Sequence, residues 1–356
     1  MTSPDQEQTA RPAEPAAQIP PRPERLARLR AMMGEPDHSV VQMTVGIRRN
    51  TARHYEQHVL PLVRRHWPEV LDLPFGTKLR LTACDLYASA PYTVLFCAPN
   101  RPLAIRLVTG AANRLALPNL LLGYGSRAAM EVLGRVTLAG EHRRIILVAA
   151  FIATIDHVLD HCMTDAPAER GRKLHGILDR TYEPDTPELK LTRALRVAMA
   201  DHLASWERAP FEGAMTKLKA WVDAEVAGMT GVVDPTGKGH RVAGVEGTID
   251  GLLFPVHRYA GEGARRWMYD VSMFIQMMDD YLDLEKDIDE GRHTPVMTGE
   301  WTFDGIAAMW RKTVTGIEAL TRAGGLTAPH YVGFVRNAYV LMLCEVLEGM
   351  ASGIAD

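Results

Sequence analysis

Two stretches, Phe151 to Asp165 and Phe274 to Pro295, constrain this chain most, because each sets aspartates into an otherwise apolar helical run. The first reads FIATIDHVLDHCMTD and the second FIQMMDDYLDLEKDIDEGRHTP. Residues four apart on a helix share a face about one turn apart, so Asp156 aligns with Asp160, and Asp279 with Asp283 and Asp287. Asp280 flanks the second row. From Ile145 to Met163 no Lys or Arg accompanies the acids, and Val271 to Glu285 also has none. A solvated acidic face normally interleaves cations. A carboxylate carried into apolar surroundings instead protonates or recruits a cation, since burying a bare charge is costly.

The remaining sequence bounds the fold. Apolar residues recur at helical spacing with little sustained strand alternation, which predicts an all-α chain. With 356 residues, 47% of them hydrophobic, it can bury a substantial core. The economical expectation is one all-helical domain over residues 25–356, a bundle around a central apolar cavity. The first 24 residues, rich in Pro, Glu and Gln, read as a disordered tail without the apolar core of a signal peptide. Helices are expected, among others, over Glu141 to Met163, Pro187 to Arg208, Gly244 to Ala260 and Gly263 to Glu290. Leu115 to Gly125 reads as a loop or a short helix.

Several function classes recede on composition. A net charge of -3 gives no basic excess for nucleic acid. Cys84, Cys97, Cys162 and Cys344 lack CxxC spacing, so neither a disulfide framework nor a zinc site is indicated and a reducing, cytoplasmic setting fits. The apolar run Ile145 to Ile155 falls short of the roughly 20 residues that span a bilayer, leaving peripheral membrane contact as the open possibility. Asp234 to Arg241, DPTGKGHR, lacks the Ser or Thr after GK and the preceding strand of a phosphate loop.

Two acidic rows facing each other across a bundle would form an all-oxygen site. Mg²⁺ suits such a site, because it keeps several waters and shares substrate phosphates. An apolar substrate with a diphosphate head follows, its departing charge stabilised electrostatically.

The residues also resemble those of the class I isoprenoid synthases. Asp279, Asp280 and Asp283, with Gln276 upstream, reproduce a DDxxD motif, and Gln276, Asp283, Asp287, Gly291, Arg292 and Pro295 are similar to phytoene and squalene synthases. The closest resemblance is to the large bacterial class IB terpene synthases of the tetraprenyl-beta-curcumene synthase type, whose DYxIDxEED motif aligns with Asp279, Asp283, Glu285 and Asp287. Val59 to Val63, Thr154-Ile155, Leu159-Asp160 and Leu174-His175 extend the similarity over roughly Tyr55 to Pro295.

The resemblance implies Mg²⁺, three ions in all, bound by Asp156, Asp160, Asp279, Asp280, Asp283 and Asp287. Asp156, Asp160, Asp279 and Asp283 would be catalytic on a prenyl diphosphate. It also implies a helix break at Gly247-Thr248 that exposes Thr248 to the diphosphate. Arg292, Lys286 and Arg258 are the candidate diphosphate cations, and Phe151, Phe254, Phe274, Met277 and Tyr281 the candidate cavity lining, alongside a core role for each aromatic.

His157 and His161 depart from the usual first motif, and the DxxxD spacing there is closer to the head-to-head synthases. Cyclisation and head-to-head condensation both remain open, whereas chain elongation is disfavoured by the missing GGKRxRP entry sequence. A helical His/carboxylate metalloprotein, with His157 and His161 as ligands rather than packed rings, and a non-catalytic isoprenoid-binding protein are the remaining alternatives. Product skeleton, chain length and oligomeric state are not encoded in these motifs.

Overall fold

A computed structural model describes residues 20–136, 139–230, 238–289 and 294–352, and the described residues are helical with no strand. In chain order the helices are α1 (Arg22–Met33), α2 (Val41–His54), α3 (Leu60–His66), α4 (Pro74–Leu81), α5 (Ser89–Cys97), α6 (Leu103–Arg114), α7 (Asn119–Val136) and α8 (Ala139–His157). They continue as α9 (Pro167–Asp179), α10 (Pro187–Ala200), α11 (Ser205–Met229), α12 (Lys238–Leu253), α13 (Glu262–Leu282), α14 (Leu284–Asp289), α15 (Phe303–Ala323) and α16 (Pro329–Ala351). Proline occupies the first turn of α1, α3, α4, α9, α10 and α16, where its missing N–H costs no hydrogen bond and its fixed φ suits the helix. Thr302 caps α15 by accepting from the Gly305 N–H at 3.2 Å.

The core is organised around α8. Ile145 through Ala153 are all buried, so this helix is apolar on every side until it reaches Asp156. Gly140–Cys162 is long and apolar enough to cross a membrane by length and composition, but most of it is covered by neighbouring helices. Helix α12 lies against α8, α11 and α13. Its glycines allow that closeness: a Cβ on Gly247 would meet the Lys217 carbonyl at 3.2 Å, and one on Gly251 would meet Ile152 Cδ1 at 3.0 Å. Beyond α13 come α15 and then α16, and α1 lies across α13 and α16.

Away from the acidic segments, a buried polar cluster joins α2, α5 and α8. Tyr92 accepts from Asn50 at 2.7 Å and hydrogen-bonds His142, whose ring lies 5.2 Å from that of His54. Burial, followed by the charge of Arg53 and the neighbouring imidazoles, depresses His54 to about 4 and His142 to about 3. Both rings are therefore neutral at physiological pH.

Four local expectations are corrected. The tail does not extend to residue 24, because α1 starts at Arg22 on its first-turn proline. The segment expected as a loop or a short helix at 115–125 runs from residue 119 into α7, an 18-residue helix that packs on α2. A single helix over 187–208 is divided between α10 and α11. No break occurs at Gly247, since α12 is continuous there and uses that glycine to approach α11.

Candidate functional site

Chain direction gathers the acidic residues at one end of the bundle. The C-terminal ends of α8, α11 and α13 and the N-terminal end of α12 share that end, because α12 runs antiparallel to its three neighbours. Asp156 closes α8, Glu225 lies in the last turns of α11, Arg241 in the first turn of α12, and Asp279 in the last turn of α13. Tyr87 joins them from a π-helical turn, Thr82–Tyr87, that packs on α8.

Asp156 is strongly perturbed. Burial first, then the charges of Asp160, Glu225 and Asp279, push it up to about 7, with Lys78 offsetting only part of the effect. By surface area, however, Asp156 is exposed to solvent, so many protein atoms surround it without covering it. A group that water reaches but protein surrounds lies in a recess. Among the described residues none hydrogen-bonds or salt-bridges to Asp156. The Tyr87 phenol is also raised, by burial and then by Asp156 and Asp279, so the same two acids bear on it. The acidic rows of α8 and α13 therefore act on a common space.

Asp160 does not continue the α-helical row. Val158–Cys162 is π-helical, with the Met163 N–H reaching the Val158 carbonyl at 3.1 Å, so the turn is one residue wider than an α turn. Single-turn π segments of this kind are frequent at functional sites, and two others occur in this chain at Tyr55–Val59 and Thr82–Tyr87. Asp160 still lies close enough for its charge to be the largest electrostatic contribution at Asp156.

The second row is interrupted as well. Helix α13 stops at Asp283 (φ -93°, ψ 12°) before α14 begins. The exposed acceptor there is satisfied by Arg25, which is 1% exposed and donates to the Leu282 carbonyl at 2.9 Å and to Glu285 at 2.8 Å. Asp280 is buried, bound by Arg241 at 2.8 Å and accepting from Gln276 at 3.0 Å. Burial works against the Arg241 charge, yet Asp280, then Glu225, Asp279 and Asp287 raise its pKa overall. Asp283 faces Arg22 at 3.8 Å and Lys286 at 3.7 Å. The expected ligand row thus divides: Asp279 belongs to the shared recess, while Asp280 and Asp283 bind cations of the chain itself.

Other expected site residues fall elsewhere. Arg258 binds Glu141 and stacks over Trp206 at 4.4 Å. Glu141 is fifteen residues before Asp156 on α8, about 22 Å along the helix, so Arg258 is at the far end of the bundle. Thr248 is half-buried on α12, two turns below Arg241 on the same face. Lys286 pairs with Asp283, and Arg292 lies outside the described residues.

Phe274 packs on Trp310 at 5.3 Å and Tyr281 on Phe303 at 5.9 Å, while Met277 lies against Gly305. These three occupy the α15-facing side of α13, about 140–200° around the helix from Asp279. Phe151 is fully buried in α8, and Phe254 meets Phe211 edge-on at 5.2 Å. All five are core packing rather than recess lining.

His157 stacks flat on Phe75, with ring centroids 3.5 Å apart, and burial followed by His161 and Lys78 lowers it to about 4. It is a packed ring. Among the described residues no three carboxylate, imidazole or thiolate groups stand close enough together to hold a metal ion by themselves.

Glu225, Arg241, Tyr87 and Lys78 were not singled out by motif. Glu225 had a signal, as it follows Leu218 and Trp221 on one face of α11, where an acid interrupts an apolar stripe. Trp221 Nε1 donates to it at 2.9 Å. Arg241 sat inside the DPTGKGHR segment, whose interest lies in its last residue rather than its glycines.

No family model, curated protein or solved structure matches this chain.

Proposed function

We propose that the chain is an Mg²⁺-dependent class I terpene synthase, ionising a prenyl diphosphate and converting the allylic cation to a terpene with release of diphosphate. The observation that carries this reading is Asp156, pushed up to about 7 in a recess it shares with Asp160, Glu225 and Asp279. Such crowding of acidic charge favours a proton or a cation, and hard oxygen donors favour Mg²⁺. The donor set fits an ion held by one or two carboxylates and completed by water and substrate phosphate, rather than a closed protein cage.

One or two of the carboxylates Asp156, Asp160, Asp279 and Glu225 would hold each ion together with water and substrate phosphate, and the metal when bound would supply positive charge against the departing diphosphate. Arg241, at the positive end of α12, is a cation of the chain that feels Glu225 and Asp279 of the same recess. Asp280, itself held by Gln276, fixes the Arg241 guanidinium, so it meets an anionic group without reorganising. The Tyr87 phenol, kept protonated, offers the recess an O–H donor and a ring face that attracts a carbocation.

The test is incubation with C15, C20, C25 and longer prenyl diphosphates plus Mg²⁺, with mass spectrometry of the organic extract. A hydrocarbon or alcohol from a single substrate, lost in Asp156→Asn and Asp279→Asn, is expected. A product of two joined substrates would identify a head-to-head condensing enzyme instead, and unchanged turnover in both variants would refute the assignment.

A further inference from the structure

Helices α6 and α7 carry apolar stripes on the outside of the protein. On α6, Leu103 (68% exposed), Leu107 (66%), Ala111 and the following Leu115 recur every fourth residue. On α7, Leu121, Tyr124, Ala128 and Val132 (61%) follow the same helical spacing. Scattered exposed leucines are ordinary, but aligned stripes on two adjacent helices form a patch of the kind that marks an interaction site.

Frayed helices do not produce this exposure. Buried Arg101 fixes the start of α6 by donating to the Gly324 carbonyl at 2.8 Å and to Thr109 at 3.0 Å, and Asn113 at its end accepts from the Ala328 N–H at 3.0 Å. The inner face of α7 is pressed onto α2, where a Cβ on Gly46 would come within 2.8 Å of the Arg127 Cα. Both helices are held with their apolar stripes outward.

The charge around the patch is one-sided. No Asp or Glu occurs from Leu86 to Met130, although the whole chain holds 43 acids against 40 Lys and Arg. Arg106 and Arg114 are exposed beside the leucines. A second copy docking face to face would bring these arginines against their own mates, and Glu131, the acid beside Val132, is already bound by Arg127 at 3.1 Å. An anionic lipid surface meets both features, taking leucines into the acyl boundary and arginines at the headgroups.

We propose that the α6–α7 face seats the protein on anionic membrane surfaces. This stands independently of the reaction assigned to the acidic recess.

Co-sedimentation of the full chain with phosphatidylcholine vesicles, plain or containing about a quarter phosphatidylglycerol, tests it. Binding is expected on the anionic vesicles, weakening with salt. Arg106→Gln with Arg114→Gln should cost about thirtyfold in partitioning there. Leu107→Glu with Leu121→Glu, at exposed positions that leave the core intact, should abolish binding while the helical circular dichroism is kept. Failure to bind anionic vesicles would overturn the proposal. So would binding untouched by the leucine pair, or a solution dimer that the leucine pair dissolves, which would make the face an interface between copies.

Discussion

The two acidic segments look alike as sequence and differ in how their charge is compensated. On α13 and α14, Asp280 is held by Arg241, Asp283 by Arg22 and Lys286, and Glu285 by Arg25. Asp156 on α8 has no salt bridge among the described residues and lies amid further acids, so it is drawn toward its protonated form. The α13 side is closed by the protein's own cations and shapes the recess. At Asp156 the charge of Lys78 offsets only part of the surrounding acidic charge, a local cost that an external cation would relieve.

The largest effect should come from breaking the compensated side. Arg241→Ala would remove the bound cation from buried Asp280, lowering stability by about 3–5 kcal/mol in denaturant melts, and adding Asp280→Asn should recover most of it. A small loss in the single variant would mean that water already solvates the pair.

Next is catalysis on the other side. Asp156→Asn should reduce metal-dependent diphosphate release by about a hundredfold or more, against roughly tenfold for Asp283→Asn, because only the former empties the recess. Equal losses would erase the distinction between the rows.

Helical character and a single domain were legible from hydrophobic spacing alone, because α8 is apolar around its whole circumference and α13 and α15 have one apolar face. The acidic clusters were legible too, since Asp156 and Asp279 stand where cations are missing. Spacing could not show which oxygens would be used. The π-helical turn at Val158–Cys162 leaves no mark in residue spacing, and the end of α13 at Asp283 is met by Arg25, more than 250 residues earlier in the chain. Phe274 and Tyr281 share a helix with Asp279 but face α15, because the largest apolar groups gain most from full burial. Arg258 follows Gly247 by eleven residues in sequence, and a straight α12 carried it to the opposite end of the bundle.

Smaller effects concern pH and have opposite signs in two regions. Asp156 is raised from 3.8 to about 7, so the folded state binds its proton more tightly and metal-free stability falls as pH climbs between those values. Asp156→Asn should therefore raise the melting temperature at about pH 8 and leave it unchanged near pH 4. In the α2–α8 cluster, His54 is lowered from 6.5 to about 4, so protonation favours the unfolded chain and stability falls as pH drops through that window. His54→Phe should reduce that acid-side loss, and a melting profile identical to that of the unsubstituted protein from about pH 4 to 6.5 would place the loss elsewhere.

The charge deficit at the α8 side is read most directly by titrating the Asp156 side-chain carboxyl by carbon-13 NMR, with and without Mg²⁺. A midpoint near 7 in metal-free protein, falling by more than about one unit when Mg²⁺ is saturating, is the expected result. A midpoint at the ordinary value of 3.8, or one near 7 that Mg²⁺ does not move, would contradict it.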